Sequence, residues 1–331
     1  MMWDFPVSLI YGRFQCIAQA LHQIIGNFDT YSKNRKTSSG DSFMRVFLIA
    51  SSALVLALFL QSCEPASDGT ETKADALPAV LQDSSVSIET VLAGEHRSAK
   101  NKARDKYRHP AETLEFFGVQ PDSAVIEIWP GGGWYTEILA PYLRDNGRYI
   151  AAGFDPNSEI EFIAAGAAAF QEMLDANPAV YGNAEQAILM PPTHLEMVPP
   201  GSVDFILTFR SVHNWMPRKA DGMVLASIFA ALKPGGVLGI VEHRGNPEIE
   251  QDPEAKTGYI NQDYAIAIAE AAGFMLDGTS EINANTADTK DHPEGVWTLP
   301  PTMRLKDKDR EKYLGIGESD RFTLRFIKPT G

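Results

Sequence analysis

Two histidines follow two predicted strands of this 331-residue chain, and a carboxylate stands beside one of them. His213 comes shortly after the apolar run 203–209, while His243 directly follows the run 237–242, whose last residue is Glu242. Because an imidazole titrates near neutral pH, either histidine could act as a general base on a hydroxyl or an amine. Glu242 or Arg244 could orient or anchor an acidic acceptor.

The same three residues also form a two-histidine, one-carboxylate set, a ligand combination that suits a metal ion with open coordination positions. Their spacing does not require a metal, in contrast to a His-Glu-x-x-His pattern on a helix. The sequence therefore favours acid–base chemistry, and no metal is predicted.

A strand, a glycine turn and the start of a helix follow one another in the stretch 125–136. Residues 124–128 are apolar and mostly β-branched apart from Glu127, which predicts a buried strand. Three consecutive glycines at 131–133 remove every Cβ from the turn, so its backbone can lie against a ligand. The helix that follows offers free N–H groups to an anionic or carboxylate group.

A second carboxylate follows at the spacing of a nucleotide site. The run 147–154 predicts a strand that ends at Asp155, 22 positions after Gly133. In a βαβ nucleotide-binding unit, the carboxylate that binds the ribose hydroxyls stands about 20 residues beyond the glycine turn. Asp155 is therefore predicted to bind a ribose.

The glycine stretch resembles motif I of the class I S-adenosylmethionine (SAM) methyltransferases, an acid followed by glycines in the pattern G-x-G-x-G. Glu127 matches the acid, and Trp129 stands where the first glycine belongs. The fuller phrase PGGGWYTEILAPYL is similar to a bacterial group of exported methyltransferase-like proteins. The resemblance implies that SAM is the cofactor and that it is bound by Glu127, Gly131, Gly132, Gly133, Tyr135, Thr136, Asp155 and Arg210.

Two further segments resemble the same family. A helical pattern at 220–232 ends in the Lys-Pro-Gly-Gly of 233–236, and an apolar strand follows. The segment 210–215 resembles the region where polar side chains face the point of methyl transfer. The charged helix 97–109 is either a cover over the SAM pocket or an exposed charged helix. The resemblance implies substrate contacts from Tyr107, Arg108, His109, Asn214, Trp215 and Arg244.

Strands alternate with helices through most of 96–328, which predicts an α/β fold with a doubly wound sheet. The resemblance further implies a single domain with seven mostly parallel strands. Ligands of such sheets bind at the carboxyl ends of the strands. The segment 283–319 is rich in Asp, Lys and Pro and is predicted to be a long insertion near that cleft.

The first part of the chain has the pattern of an exported lipoprotein. Residues 1–43 are predicted to be an upstream extension, and 44–63 reads as a secretory signal with a lipobox in which Cys63 is lipidated. The alternative is a single-pass membrane anchor. In both cases a flexible linker, 64–95, and a methyltransferase-like domain, 96–331, are predicted to face the periplasm.

The net charge and the motifs of the chain argue against some functions. A formal charge of −14 argues against a nucleic-acid partner, and the absence of a Gly-x-Ser-x-Gly elbow disfavours a serine hydrolase. An NAD(P) dehydrogenase could use the same turn, but Lys-Pro-Gly-Gly favours the methyltransferase family. The predicted function is SAM-dependent methyl transfer to an unidentified small molecule. The alternative is an exported binding protein that keeps the fold without catalysis, as Trp129 and the cytoplasmic origin of SAM would favour.

Overall fold

The computed structural model describes residues 86–331. The predicted extension 1–43, the signal segment 44–63 with Cys63, and most of the linker 64–95 lie outside the described residues. Between residues 86 and 331 no helix is both long and apolar enough to cross a membrane.

The described residues alternate between strands and helices, as predicted. The strands are β1 (Ala124–Ile128), β2 (Arg148–Gly153), β3 (Glu185–Ile188), β4 (Val203–Phe209), β5 (Leu232–His243), β6 (Met275–Ser280) and β7 (Arg321–Ile327). The helices are α1 (Ile88–Ala93), α2 (Ala99–Lys102), α3 (Asp105–Arg108), α4 (Pro110–Phe117), α5 (Thr136–Leu143), α6 (Glu161–Asp175), α7 (Pro178–Tyr181), α8 (Val212–Trp215), α9 (Asp221–Ala231), α10 (Gln262–Ala271) and α11 (Arg310–Ile316). Two short 3₁₀ turns, Met216–Arg218 and Gly295–Thr298, complete the described elements.

The seven strands form one sheet in the order β3-β2-β1-β4-β5-β7-β6. Every neighbouring pair from β3 to β5 is parallel, whereas β7 runs antiparallel to both β5 and β6. The chain adds strands on one side of β1 and then on the other, so the direction of winding changes between β1 and β4. In open α/β sheets the ligand crevice lies at that switch point. The predicted doubly wound, mostly parallel seven-stranded sheet is confirmed.

The central strands are apolar because helices cover both faces of the sheet. Successive residues of a strand point to opposite faces. Ile126 accordingly lies in a core cluster with Val224 of α9, while its neighbour Val125 lies in a second cluster with Ile138 of α5. Burial on both faces fixes β1 firmly at the centre of the sheet and leaves its carboxyl end to carry the glycine turn.

The Lys-Pro-Gly-Gly segment ends α9 and begins β5. The pairing of β4 with β5 shifts between Val203, which faces Leu232, and Phe205, which faces Val237. The extra residues form a bulge in which Gly235 takes a φ of +80°, a left-handed conformation that glycine adopts without a steric penalty.

The folded region begins earlier than predicted. Helix α1 lies inside the predicted linker 64–95, and its Val91 is buried in the same core cluster as Leu139 of α5. The domain therefore starts at or before residue 86, and the boundary at residue 96 is corrected. The charged segment 97–109, predicted to be a helix, is divided into α2 and α3, and α4 follows after a break at His109, whose φ is +39°.

Gly239 in β5 provides a test of this core. A Cβ at this position would lie 2.7 Å from Leu207 Cδ2 and 2.9 Å from the ring of Phe117. Gly239→Ala should therefore lower the free energy of unfolding by about 1–3 kcal/mol through overpacking, as measured by urea denaturation. Gly222→Ala in α9 is the control, because its Cβ would meet no atom within 4 Å. Equal stabilities of wild type and Gly239→Ala would contradict this packing.

Candidate functional site

A cavity of about 760 Å³ opens at the switch point. We call it the central cavity. The insertion 283–319 forms part of its wall through Val296 and Trp297, so the predicted position of that segment near the cleft is confirmed. The predicted site residues that line the central cavity are Arg108, Glu127, Gly131, Gly132, Tyr135, Arg210, His213, Asn214 and His243.

The glycine turn exposes two of its three glycines to the central cavity. A Cβ on Gly131 or Gly132 would meet no atom within 4 Å, and Gly131 has a φ of +58°. Gly133 differs, because a Cβ there would collide with Met173 of α6. The first two glycines thus leave space for a ligand, whereas the third allows close packing of the turn against a helix.

Glu127 is a buried carboxylate held by two hydroxyls. Its Oε2 accepts hydrogen bonds from Tyr149 at 2.6 Å and Thr136 at 3.0 Å. Burial raises the pKa of Glu127 to about 7, and these two hydrogen bonds offset part of that shift. Thr136, predicted to contact the cofactor, does not line the central cavity and instead positions Glu127.

Tyr135 forms a wall of the central cavity. Its ring stacks on Phe209 with centroids 3.5 Å apart and planes inclined by 10°. Burial raises the pKa of Tyr135 to about 12, so the phenol stays neutral. The stacked pair presents a flat apolar surface beside the glycine turn.

Trp129 crosses the carboxyl ends of β1 to β3. Its Nε1 donates to the Leu189 carbonyl at 2.9 Å, and its ring centroid lies 5.1 Å from that of Phe154. The residue has a φ of +48°, a conformation unusual for a bulky side chain. Beyond it lies a second, mostly apolar cavity of about 670 Å³, which shares Trp129, Phe154 and Phe162 with the central cavity.

Asp155 follows the end of β2, as predicted, and its carboxylate bonds to its own loop. Its Oδ1 accepts a hydrogen bond from the backbone N–H of Asn157 at 2.8 Å, and Asp155 lines neither cavity. A short acidic side chain readily bonds to the backbone two residues further along, which stabilises a turn. The carboxylate predicted to bind ribose thus stabilises its own loop.

His213 and Glu242 form a buried pair at the ends of β4 and β5. The Nδ1 of His213 lies 3.1 Å from Glu242 Oε1, and the backbone N–H groups of His213 and His243 also donate to this carboxylate. Since an ionised carboxylate only accepts hydrogen bonds, Nδ1 carries a proton, and in the neutral ring Nε2 then keeps a lone pair. Among the described residues, none bonds to that Nε2.

His243 lies beside this pair, with its ring centroid 5.4 Å from that of His213. Its Nδ1 is hydrogen-bonded to the Ser319 hydroxyl. Burial lowers the pKa of His243 well below its usual value, and the nearby His213 and arginines add to this effect. His243 is therefore a neutral imidazole at physiological pH.

The three residues considered as a metal set do come together. His213, Glu242 and His243 each offer one ligand atom, and these atoms lie within 4.8 Å of one another. Three N–H groups already bond to the Glu242 oxygens. A metal ion at this site would share the carboxylate with these N–H groups.

Four predicted substrate contacts lie away from the central cavity. Trp215 is fully buried in the core, and Tyr107 packs over Gly317. Arg244 pairs with Glu281 and Asp320 beside a different pocket. His109 lines none of the cavities described and occupies the left-handed break before α4. These four residues therefore do not line the central cavity, whereas Arg108 and Asn214 do.

The sequence interpretation missed part of the wall. Arg104, Glu318 and Arg321 line the central cavity beside Arg108 and Arg210. Arg104 stands in the charged segment 97–109, so the charge density there was a signal for it. Glu318 lies at the end of the insertion and Arg321 begins β7, and neither position shows a local pattern that indicates a site.

Comparisons with known proteins give structural matches only. No protein-family model matches the chain, and no curated protein matches it. A SAM-dependent methyltransferase from Aquifex aeolicus superposes with a TM-score of 0.45 and 16% identity, over 68% of this chain and 93% of the other. A putative sarcosine dimethylglycine methyltransferase from Galdieria sulphuraria gives 0.45 and 14%, over 69% and 87%. The [4+2]-cyclase SpnF gives 0.47 and 16%, over 72% and 86%.

The sheet is class I methyltransferase-like. This assignment rests on the strand order and on the single reversed strand β7. The similarity to the superposed proteins, at identities of 14–16%, concerns the fold and not the activity or the substrate.

Glu127 gives the site a measurable pH dependence. Its folded-state pKa of about 7 exceeds the ordinary value of 4.5, so its contribution to stability is fully present below pH 4.5 and is lost as the pH rises through 7. A shift of this size corresponds to about 3 kcal/mol. Wild type loses this contribution between pH 4.5 and pH 8, whereas Glu127→Gln does not. The unfolding free energy of the variant minus that of wild type should therefore rise by about 3 kcal/mol over this range.

Urea denaturation at the two pH values measures this difference. Glu185→Gln is the control, because Glu185 is an exposed carboxylate paired with Arg148, and it should show no such gain. Parallel pH dependences of wild type and Glu127→Gln would contradict the raised pKa.

Proposed function

We propose that this protein is a SAM-dependent methyltransferase that acts on a small molecule bound in the central cavity. One observation carries the proposal: a glycine turn open to a ligand, a buried carboxylate and an oriented histidine line the same cavity. A protein that keeps the fold but binds nothing would need neither a turn without side chains nor an unbonded imidazole nitrogen in the same cavity.

The described residues fit SAM in two of its three parts. Glu127 and the open backbone at Gly131 and Gly132 suit the charged amino-acid part, because they offer a carboxylate and free approach to the turn. The apolar second cavity, lined by Phe154 and Phe162, suits the adenine. For the ribose the described residues give no such support, because Asp155 lines neither cavity and its Oδ1 bonds to its own loop.

When bound, SAM supplies an activated methyl group on a sulfonium centre. The residues of this chain then have to orient the acceptor and remove its proton. His213 is the proposed base, since Glu242 holds the proton on Nδ1 and leaves Nε2 able to accept one. A positioned base of this kind typically contributes a rate factor of about 10²–10⁴.

A specific observation favours the second candidate, a binding protein without catalysis. Trp129 replaces a glycine of the motif, and its indole crosses the strand ends between the two cavities. The indole takes up space between the two cavities that a glycine would leave open to one continuous ligand. The central cavity would then bind a different small molecule.

Binding of S-adenosylhomocysteine separates these two functions. Calorimetry on the wild-type chain should give micromolar affinity, which corresponds to about −8 kcal/mol. Gly132→Leu should weaken this binding at least tenfold, because the new side chain enters the central cavity. Gly222→Leu is the matched control, since Gly222 is equally open but lies on α9.

Folded wild-type protein that binds no S-adenosylhomocysteine would overturn the methyltransferase proposal. Binding that appears only in Trp129→Gly would identify the indole as the obstacle. That second result would favour the binding-protein function for the natural chain.

The tautomer of His213 and the neutral charge of the His243 ring are also directly testable. Nitrogen–proton correlation NMR of the imidazole rings at pH 8 should show His213 as the Nδ1–H tautomer, with His213→Gln used to assign its signals. The same spectra at pH 6 should show a neutral ring for His243, whose pKa is lowered by burial. An Nε2–H tautomer of His213 would contradict the assignment, because that nitrogen could then not accept a proton.

A further inference from the structure

One part of the wall of the central cavity carries an unusual concentration of positive charge. Arg104, Arg108, Arg210 and Arg321 all line the cavity, and the acid Glu318, which lines it too, pairs with three of them. We call these five residues the arginine cluster. The chain as a whole has a formal charge of −14, so a general basic character of the surface does not account for this cluster.

Glu318 neutralises only part of this charge. Its Oε1 accepts from Arg104 Nε at 2.6 Å, and its Oε2 accepts from Arg108 Nε at 3.0 Å and from Arg321 Nη2. Burial alone would raise the pKa of Glu318, but Arg321, Arg108 and Arg104 lower it to about 2. The carboxylate is therefore ionised and supplies one negative charge against four positive ones.

Arg210 makes no direct ion pair among the described residues. The structure shows no hydrogen bond or ion pair from its guanidinium to any residue between 86 and 331, although the half-buried side chain lines the cavity. Burial lowers its pKa to about 10, repulsion from Arg321 contributes to this shift, and attraction to Glu318 offsets part of it. Arg210 therefore stays charged at neutral pH, and its guanidinium can donate to an anion in the cavity.

Two further donors of the arginine cluster are also unsatisfied. Nη1 of Arg108 and Nε of Arg321 are buried and have no hydrogen-bond partner in the described chain. Their side chains are only 3% and 2% exposed. The guanidinium of Arg108 lies over the ring of Trp134 at 4.6 Å, which holds its plane in position. Buried donors normally have partners, so these atoms point to a missing acceptor.

We propose that the arginine cluster binds an oxyanionic group, a phosphate or a carboxylate, of the small molecule that occupies the central cavity. Guanidinium groups bind such anions through paired, charge-assisted hydrogen bonds. As the methyl acceptor, a role that rests on the proposed function, this molecule would place its neutral part towards His213 and His243, which line the same cavity. The acceptor class is then an anionic metabolite.

Inorganic phosphate and succinate are the probes, titrated by calorimetry into the full chain in a buffer free of both anions. Saturable binding of either probe is expected, and the tighter one identifies the group as phosphate or carboxylate. Arg210→Gln should weaken the binding of the tighter probe at least tenfold. Arg210→Lys keeps the charge but loses the planar fork, so its affinity should lie between those of Arg210→Gln and wild type. Arg144→Gln, an exposed arginine paired with Asp145, is the control for net charge and should bind as wild type does.

Thermal unfolding shows whether each variant is folded. Arg210 makes no bond that the described fold needs, so Arg210→Gln should unfold at the wild-type temperature or above it in the absence of anions. Added probe should raise the unfolding temperature of wild type, and this rise should be lost in Arg210→Gln. If Arg210→Gln fails to fold, Arg210→Lys carries the test. Absence of binding by both probes to folded wild type, or equal affinities in wild type and both Arg210 variants, would overturn the proposal.

Titration in the presence of S-adenosylhomocysteine separates this inference from the proposed function. Unchanged affinity for the probe in the saturated protein supports a distinct acceptor site. Competition between the two would show that the arginine cluster binds the carboxylate of the cofactor itself, which overturns this inference and supports the methyltransferase. Probe binding without any S-adenosylhomocysteine binding would leave the anion site intact and overturn the methyltransferase.

Discussion

The pairing of Glu318 with its arginines closes the central cavity, and much of the site depends on it. Arg104 and Arg108 belong to the helical segment before β1, while Arg321 begins the last strand. Coulombic attraction outweighs the cost of burying the carboxylate, as its low pKa shows. The same carboxylate thus holds the N-terminal helices, the insertion and β7 against one another. Removing one partner would leave buried charges uncompensated, which is far more costly than losing a surface ion pair.

Local pattern was enough to predict the sheet and the glycine turn. The central strands are buried on both faces, so their sequences are continuous apolar runs that stand out against the rest of the chain. The meeting of His213 with Glu242 also follows from the fold class, because β4 and β5 are parallel neighbours whose carboxyl ends lie together. What a pattern cannot supply is the direction of a side chain. Asp155 stands at the predicted strand end, but the backbone N–H of Asn157 competes successfully for its carboxylate.

The arginine cluster could not be predicted for a different reason. Arg108 and Glu318 are 210 residues apart, and the insertion that carries Glu318 has neither the period of a helix nor that of a strand. Long-range pairs of this kind arise from how the chain closes on itself. The N-terminal charge density was visible in the sequence, but its partners were not. Trp129 is a different case. The sequence shows that it departs from the motif, but only the structure shows the hydrogen bond to Leu189 that holds its indole in place.

The reversed direction of β7 also bears on the order in which the site is assembled. Because β7 runs against β5, its first residue stands where the parallel strands end, and Arg321 pairs with His243 across the ladder. The turn and both histidines are therefore complete well before the chain reaches the residues that close the wall. A nascent or truncated chain ending before residue 318 would contain the glycine turn and both histidines but would lack Glu318, Arg321 and the strand β7 that lies between β5 and β6. The part of the cavity wall that carries the arginine cluster is thus the last part of the site to be synthesised.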